Sequence, residues 1–369
     1  FFYWRVMSFS CAVFPRCSGC SFQKDVTSPK IWEKIVEVLG VSELICDDLT
    51  SWRSRAKLAV RGSVDKPLIG LFEEGSHTVV DLKHCPLHYP VMNEALEKIR
   101  RLMKIHKIEP YREKEHVGRL RYLQMVSDRK QIQLSLVWNG EFLEEKEKAF
   151  VKQLYNEGMF HSIWSNYHPK RSNTILGNLW ELEVGKEDFF QEISGISFAF
   201  HPSCFAQAHL SLYEKMLEYI DSLIAEGRSL IDLYSGVGCI GLSLAKKAKK
   251  VTLVESSPHA KSSFEKSLEK LPESVKKKCL FLSNPVEEVD FSEGDLILVD
   301  PPRKGLSKEC KKKIFVSQAK QLIYISCGPE SFLRDYREIL QEGWILQEFK
   351  GFLLFPGTDH VEIVASFSR

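Results

Sequence analysis

The stretch SLIDLYSGVGCIG, at residues 229–241, decides how the second half of this chain is interpreted. Its first six residues are a short, mostly apolar run, which predicts a buried strand. The run leads directly into Gly236, Gly238 and Gly241, in the order G-x-G-x-x-G. Glycines at the start of a helix let a ligand lie close to the backbone amides. The sequence therefore predicts a nucleoside cofactor at the end of this strand.

Four more apolar runs follow, separated by polar segments of helical composition: VTLVE (251–255), CLFLS (279–283), DLILVD (295–300) and LIYIS (322–326). This alternation is typical of a parallel, doubly wound α/β sheet. The closing segment, 343–369, holds two long apolar runs joined by Pro-Gly-Thr-Asp. It predicts an antiparallel hairpin at the end of the sheet.

Acidic residues stand at two of the predicted strand ends. Glu255 lies 19 residues after Gly236, where it can accept hydrogen bonds from ribose hydroxyls in a dinucleotide site or an adenosylmethionine site. Asp300 is followed by PPRKG (301–305), whose two prolines fix a rigid turn and remove backbone donors. A hydride-transferring enzyme has no evident need of such a turn. The turn therefore favours adenosylmethionine, with a plain structural turn as the alternative.

A cysteine and a glutamate stand at the ends of the last predicted strands. Cys327, in YISCGPE (324–330), lies where the fifth apolar run must stop at a glycine and a proline. A lone cysteine there is a core residue, a metal ligand or a nucleophile, and the core is the commonest place for it. Glu362 begins the final apolar run among apolar neighbours. A glutamate in that setting needs a partner or a function.

Three of the ten cysteines are packed into CAVFPRCSGC (11–20), and a fourth lies far away in HCPLH (84–88). Gly19, inside the C-x-x-C pair, lets two thiolates converge on one centre. Three clustered ligands and one remote ligand suit a structural Zn²⁺ or a [4Fe–4S] cluster, and thiolate chemistry alone does not separate the two. His84 and His88 are alternative ligands. The possibility that Cys85 is unrelated to the other three cysteines also stays open.

Composition and charge point to a globular protein with an uneven distribution of basic residues. The chain is 44% hydrophobic and 27% charged, with a net charge of +2, as in soluble proteins. Between Lys98 and Lys130 there are eleven Lys or Arg and four Asp or Glu, and SWRSRAKLAVR (51–61) adds four basic residues and no acid. Aromatic residues lie among these basic residues, so a surface that binds nucleic acid is as plausible as an ordinary solvated surface.

No apolar stretch is long enough to cross a bilayer, and the opening FFYWRVMSF lacks the pattern of a signal peptide. We therefore expect a cytoplasmic protein with no membrane partner. Met7 would make a plausible natural start.

Taken together, the motifs resemble the S-adenosylmethionine-dependent RNA uridine-5-methyltransferases. They are most similar to the branch that carries a [4Fe–4S] cluster and acts on 23S ribosomal RNA. The resemblance covers nearly the whole chain and includes the 35 residues from Cys327 to Glu362. It rests on CAVFPRCSGC with HCPLH, FAQAH (205–209), DLYSGVGCIG (232–241), VESSPHA (254–260), VDPPRKG (299–305), YISCGPESFLRD (324–335) and FPGTDHVE (355–362).

The resemblance implies a role for each matching residue. Cys327 would be the nucleophile and Glu362 the base. The cluster would be held by Cys11, Cys17, Cys20 and Cys85. S-adenosylmethionine would be bound by Gln207, Tyr234, Gly236, Gly238, Glu255, Asn284 and Asp300.

Three departures from the family pattern affect the cofactor contacts and not the type of reaction. Gly328 stands where the family usually has asparagine. Ala206-Gln207-Ala208-His209 stands where Phe-Gln-x-Asn is frequent, and Cys239 where asparagine or threonine is frequent.

The resulting organisation has three parts. Residues 1–95 form a cysteine-rich iron–sulfur region, and residues 96–195 a central α+β domain that binds RNA. Residues 196–369 form a Rossmann-like class I methyltransferase sheet with the terminal hairpin. Arg53, Arg55, Lys57, Arg119 and Arg121 are candidate phosphate contacts.

The expected reaction is methylation of C5 of a uridine in RNA, most simply 23S rRNA, with no protein partner implied. Transfer RNA is a second possible substrate. Three further functions stay open at this point: an amino-group methyltransferase acting on a base, a non-catalytic iron–sulfur RNA-binding protein, and a dehydrogenase.

Overall fold

The computed structural model describes residues 8–369, so the candidate start Met7 lies outside the described residues. The chain divides into two compact units, each built from several segments. The first unit contains residues 8–26, Asp48–Gln191 and Ala206–His209. The second contains Thr27–Asp47, Glu192–Phe205 and Leu210–Arg369.

In the described part of the chain the helices are α1 (Lys30–Leu39), α2 (Pro90–Ile105), α3 (Glu145–Tyr155), α4 (Leu210–Ser222), α5 (Cys239–Leu244), α6 (Ala260–Glu269), α7 (Glu273–Lys276), α8 (Lys308–Val316) and α9 (Pro329–Gln341). The strands are β1 (Leu44–Ile45), β2 (Arg55–Gly62), β3 (Pro67–Phe72), β4 (Val79–Asp81), β5 (Leu120–Ser127), β6 (Ile132–Trp138), β7 (Phe160–Tyr167), β8 (Leu179–Gly185), β9 (Phe190–Ile193), β10 (Ile196–Ala199), β11 (Ser229–Leu233), β12 (Lys250–Val254), β13 (Cys279–Leu282), β14 (Leu296–Val299), β15 (Gln321–Ser326), β16 (Ile345–Phe352) and β17 (Glu362–Ser368).

The first unit is built on a sheet with the strand order β4-β3-β2-β5-β6-β7-β8. Adjacent strands in this sheet are antiparallel, except for β6 and β7, which are parallel to each other. A parallel pair needs a crossover connection, and α3 lies in the segment that joins these two strands. The unit is therefore an α+β fold.

One face of this sheet is covered by α2 and α3. Alternate residues of β2, namely Ala56, Leu58 and Val60, belong to the apolar core with Leu96 of α2 and Phe150 of α3. Each of these elements buries one face. Apolar residues therefore recur at every second position in the strand and at every third or fourth position in the helices.

The second unit is built on a sheet with the order β1-β16-β17-β15-β14-β11-β12-β13. The strands from β15 to β13 run parallel, and β17 is antiparallel to both β15 and β16. All five predicted parallel strands and the terminal hairpin are therefore confirmed. The sequence did not predict β1, a two-residue strand that pairs with β16.

The predicted domain boundaries relate to the two units in different ways. The boundary at residue 95 falls inside α2, in the first unit. The boundary at residue 195 lies close to the change of unit after Gln191. Returning segments such as Ala206–His209 cannot be inferred from composition, because they are too short to change it.

Within residues 8–369, no helix is both long enough and apolar enough to cross a membrane.

Candidate active site

The loop after β11 has the backbone shape that its glycines predict. Tyr234, Gly236 and Gly238 all have positive φ, at 61°, 55° and 88°. A Cβ on Gly238 would lie 2.8 Å from Leu253 Cδ2 and 3.0 Å from a ring carbon of Phe264. Glycine is therefore required there for both conformation and space.

Glu255 is fixed beside this loop at the end of the neighbouring strand, β12. Its Oε2 accepts a hydrogen bond from the Gly236 amide at 3.1 Å, and its Oε1 accepts one from the Ser257 amide at 2.7 Å. A carboxylate has about four lone-pair sites. The two remaining sites can accept hydroxyl groups of a ligand.

The Tyr234 hydroxyl is already hydrogen-bonded within the protein. Its partners are Cys310 and Ser307, and burial raises its pKa. The ring packs against the core of the second unit. Any contact that Tyr234 makes with a cofactor is therefore made by the ring or the backbone.

Three predicted residues meet at the carboxyl edge of the sheet. The β15–β17 ladder ends with the pair Ser326–Ile363, so Cys327 and Glu362 occupy the next position along it. Asp300 directly follows β14, the other neighbour of β15. The sequence reasoning therefore placed the thiol and both carboxylates correctly at one sheet edge, where α/β proteins bind ligands.

The electrostatics of these groups are dominated by burial. Glu362 is 6% exposed. Burial raises the pKa of Glu362, the charge of Asp300 raises it further, and Arg303 opposes the shift. Burial also raises the pKa of Asp300. Burial, then Glu362 and Asp300, raise the pKa of the Cys327 thiol to about 11, against a smaller effect of Arg303. At neutral pH the unliganded thiol is therefore protonated.

A buried carboxylate, Asp335 of α9, holds the surrounding segments in place. Its Oδ2 accepts hydrogen bonds from the Leu306 amide and the Tyr324 hydroxyl, both at 2.8 Å. Its Oδ1 lies 3.3 Å from Lys311 Nζ. A Cβ on Gly305 would lie only 2.4 Å from Oδ2. Asp335 therefore joins the PPRKG turn to the strand that carries Cys327.

Sequence reasoning overlooked Asp335 and also Tyr213 of α4. Tyr213 is 4% exposed and is hydrogen-bonded to Cys239. Burial raises its pKa well above the ordinary value, and the charges of Cys239, Asp300, Asp232 and Glu362 add to the shift. Asp335 had a signal, since it closes the motif YISCGPESFLRD, whereas Tyr213 looks like any core aromatic of a helix.

Two predicted cofactor residues, Gln207 and Asn284, form no described contact that holds them at the edge of the sheet where Cys327, Glu362 and Asp300 lie. Gln207 belongs to the first unit, where its carbonyl accepts a hydrogen bond from Ser54 Oγ at 3.1 Å. Asn284 lies two residues after β13 and is exposed. Their roles in binding a cofactor stay predictions.

The four cluster cysteines line one cavity in the first unit: Cys11, Cys17, Cys20 and Cys85. Burial raises the pKa of Cys20 to about 12, and the charge of Cys85 adds to the effect while Arg53 opposes it. Asn93 clamps the Cys85 backbone, because its side chain bonds the Cys85 amide and carbonyl, both at 3.0 Å.

Across residues 8–369, no group of three or more His, Cys, Asp or Glu side chains is arranged to hold a metal ion. His88 lines the same cavity, and burial and the charge of Arg53 lower its pKa to about 3. Its ring is therefore neutral. The donor set itself, four soft thiols, suits an iron–sulfur cluster in chemical type.

Two of the five candidate phosphate contacts are used inside the first unit. Arg119 binds the buried Glu147 through two hydrogen bonds, of 2.6 and 2.8 Å. Arg121 donates to the carbonyls of His168 and Lys170 and stacks over the Tyr111 ring. The basic run in this region therefore includes structural arginines.

The remaining candidates lie on or beside β2. Arg53 is half-buried and lines the cysteine cavity. Arg55 donates to Gln124 and to the carbonyl of Ala206. Burial, and secondarily Arg55, lowers the pKa of Lys57 to about 8. Lys57 is therefore partly deprotonated near physiological pH.

The described geometry can be compared with known proteins. The family model for tRNA (uracil-5-)-methyltransferases matches residues 265–369. An uncharacterized RNA methyltransferase of Protochlamydia amoebophila is 37% identical over 374 residues, which cover 98% of this chain and 97% of that protein. A tRNA (uracil(54)-C(5))-methyltransferase of Pyrococcus furiosus is 27% identical, over 99% of this chain and 88% of that protein.

A solved structure shares the fold over almost the whole chain. It is the Pyrococcus abyssi tRNA (uracil-54, C5)-methyltransferase in complex with S-adenosyl-L-homocysteine. The TM-score is 0.80 at 26% identity, and the match covers 96% of this chain and 86% of that chain. The chain therefore belongs to the RNA uridine-5-methyltransferase family and is an S-adenosylmethionine-dependent RNA methyltransferase.

Proposed function

We propose that this protein methylates C5 of a uridine in RNA by covalent catalysis from Cys327. The observation that carries the proposal is the position of Cys327 beside Glu362 at the end of the β15–β17 ladder, with Asp300 after the adjacent strand. A thiol and a buried carboxylate at one ligand-binding edge are the two groups that this reaction needs.

Uracil C5 is a poor nucleophile until a group adds to C6. After the Cys327 thiol loses its proton to solvent, the thiolate adds to C6 and forms an enolate whose electron pair is available at C5. S-adenosylmethionine would supply the electrophilic methyl group that C5 takes up, with S-adenosyl-L-homocysteine as the leaving group. The covalent adduct divides one difficult step into easier ones.

Release of the product requires the C5 proton to leave. Glu362 accepts that proton, the C5–C6 double bond re-forms, and the bond between sulfur and C6 breaks. The raised pKa of Glu362 makes it a stronger base than an exposed glutamate. Its carboxylate must be deprotonated first, so the reaction should accelerate as pH rises.

There are two candidates for the substrate RNA. The cysteine motif resembles the branch that acts on 23S rRNA, and 23S rRNA stays the first candidate. Transfer RNA is the second candidate, because the Pyrococcus relatives are named as tRNA (uracil-54) methyltransferases. In either RNA the target base must be extruded from its stack, at a cost of roughly a few kcal/mol.

We also propose that Cys11, Cys17, Cys20 and Cys85 hold a [4Fe–4S] cluster. All four line one cavity, and the half-buried Arg53 beside them would offset the negative charge of thiolates. The methyl transfer is redox-neutral, so a structural role is the simplest one for such a cluster.

The test is a map of 5-methyluridine in ribosomal and transfer RNA from cells with and without the gene. One specific uridine should lose its methyl group without the gene and regain it with the wild-type gene, but not with Cys327→Ala. Restoration of 5-methyluridine by Cys327→Ala would instead show that this methylation needs no nucleophilic Cys327. An unchanged 5-methyluridine map would favour an amino-group methyltransferase or a non-catalytic RNA-binding protein.

A further inference from the structure

An open groove of the second unit runs past Cys327. It is lined by residues of the PPRKG turn, the start of α9 and the loop before β17, among them Lys304, Arg334 and His360. Its volume is about 800 Å³. Pockets that enclose one small ligand have volumes of roughly 300–1,000 Å³, so the charge and the lining of the groove, and not its size, must indicate its ligand.

Two cationic side chains of the groove, Lys304 and Arg334, differ in how they are held. Lys304 is exposed, and in the described part of the chain it has no ion-pair partner. Arg334 is held in place, because it donates to the Lys304 carbonyl at 2.6 Å and to Asp335 Oδ1 at 3.2 Å. Half of its side chain is still exposed, at 52%. Both can therefore meet a ligand anion.

The acidic residues of the groove only partly offset these cations. Asp359 accepts a hydrogen bond from the Ile31 amide at 3.0 Å, which holds its carboxylate at the wall. Glu330 is exposed in the first turn of α9. Arg303 adds a third cation, so the groove as a whole is basic.

His360 gives the same groove an aromatic wall. Burial and the charge of Arg303 lower its pKa, so the ring is neutral at physiological pH. It lies edge-on to Phe355, with ring centroids 6.4 Å apart. Cations beside a neutral aromatic surface are the combination that binds the phosphates and unstacked bases of single-stranded RNA.

We propose that this groove is the path of the RNA backbone past Cys327, with Lys304 and Arg334 binding phosphates that flank the target uridine. The inference rests on the proposed function, because it assumes that Cys327 reacts with a base in RNA. It adds a phosphate subsite on the second unit, which the basic runs of the sequence did not indicate.

The test uses Lys304→Ala and Lys304→Glu, because Lys304 is exposed and its side chain forms no ion pair among residues 8–369. Binding of a labelled oligouridylate of about 12 nucleotides, in the size range of single-strand sites, is measured across a salt series. Lys312→Ala, a change of an exposed lysine on α8 away from the groove, is the matched control. Methyl incorporation into RNA from cells lacking the gene is measured in parallel.

We expect Lys304→Ala to weaken oligouridylate binding roughly threefold to tenfold and to raise KM for RNA similarly, with kcat and cofactor affinity unchanged. Lys304→Glu should weaken binding further. The slope of log Kd against log salt should fall by roughly 0.7, the value for one lost phosphate contact on a single strand. Lys312→Ala should match the wild type in every measurement.

Wild-type binding and an unchanged salt slope in both Lys304 variants would overturn the groove proposal and leave the proposed reaction intact. Absence of 5-methyluridine with wild-type enzyme would instead overturn the proposed reaction. The oligouridylate measurement would still decide the groove, because it does not depend on turnover.

Discussion

Cys327, the proposed nucleophile, is a protonated thiol in the unliganded protein at neutral pH. Its pKa of about 11 follows from burial and from the neighbouring charges of Glu362 and Asp300. At pH 7 only about one molecule in ten thousand would carry the thiolate, by the tenfold change per unit of pH. The residue is therefore protected from side reactions until a ligand changes its surroundings.

This resting state predicts slow alkylation of Cys327 in the unliganded protein. The rate with iodoacetamide, followed by peptide mass spectrometry at residue 327, should rise about tenfold per pH unit from pH 7 towards pH 10. The exposed thiol of a short peptide is the reference. A rate at pH 7 that equals or exceeds the peptide's would contradict the raised pKa.

The cofactor pocket makes a second prediction at single residues. Asp300→Ala and Glu255→Ala each remove a charged acceptor at a strand end, and each should weaken S-adenosylmethionine binding roughly tenfold or more. Titration calorimetry measures the affinity. Glu273→Ala, a change of an exposed acid on α7 that is not at a strand end, serves as the control. Wild-type affinity in both pocket variants would mean that the pocket lies elsewhere.

At the level of elements, Asp335 connects β15, α8, α9 and the PPRKG turn. Asp335→Ala should lower the free energy of unfolding by about 3–5 kcal/mol, because it leaves Lys311 without its buried partner. Urea unfolding measures the change. Glu338→Ala is the milder control, since it removes the other, half-exposed partner of Lys311. A loss below about 1 kcal/mol for Asp335→Ala would show that the network adds little.

The five parallel strands of the second unit were predictable because each is a mostly apolar run bounded by glycine, proline or charge. The positions of Cys327 and Glu362, the proposed catalytic pair, were predictable from a cysteine at one strand end and a glutamate at the start of another. Asp335 and Tyr213 were not, because their importance arises from partners far away in sequence. Arg119 and Arg121 show the same effect, since an exposed arginine and one bound to a buried glutamate look alike in a sequence.

At the scale of the whole molecule, the proposed cluster would join Cys11, Cys17 and Cys20 to Cys85, across more than sixty residues. Protein purified without oxygen should therefore be brown, with about four irons per chain by metal analysis and no stoichiometric zinc. Cys85→Ser should lose the iron and destabilise the first unit, because the site joins distant segments. Cys46→Ser changes a cysteine outside the cavity and should keep the iron. Zinc in place of iron would reject the cluster.

The covalent route is tested most directly by Glu362→Gln with RNA and S-adenosylmethionine labelled in its methyl group. This variant keeps Cys327, so sulfur should add to C6 and the methyl group should transfer. It cannot remove the C5 proton, so the product should stay attached to the protein. Denaturing gels should show labelled protein joined to RNA with Glu362→Gln and no such species with Cys327→Ala. A labelled adduct with Cys327→Ala, or normal turnover by Glu362→Gln, would contradict this mechanism.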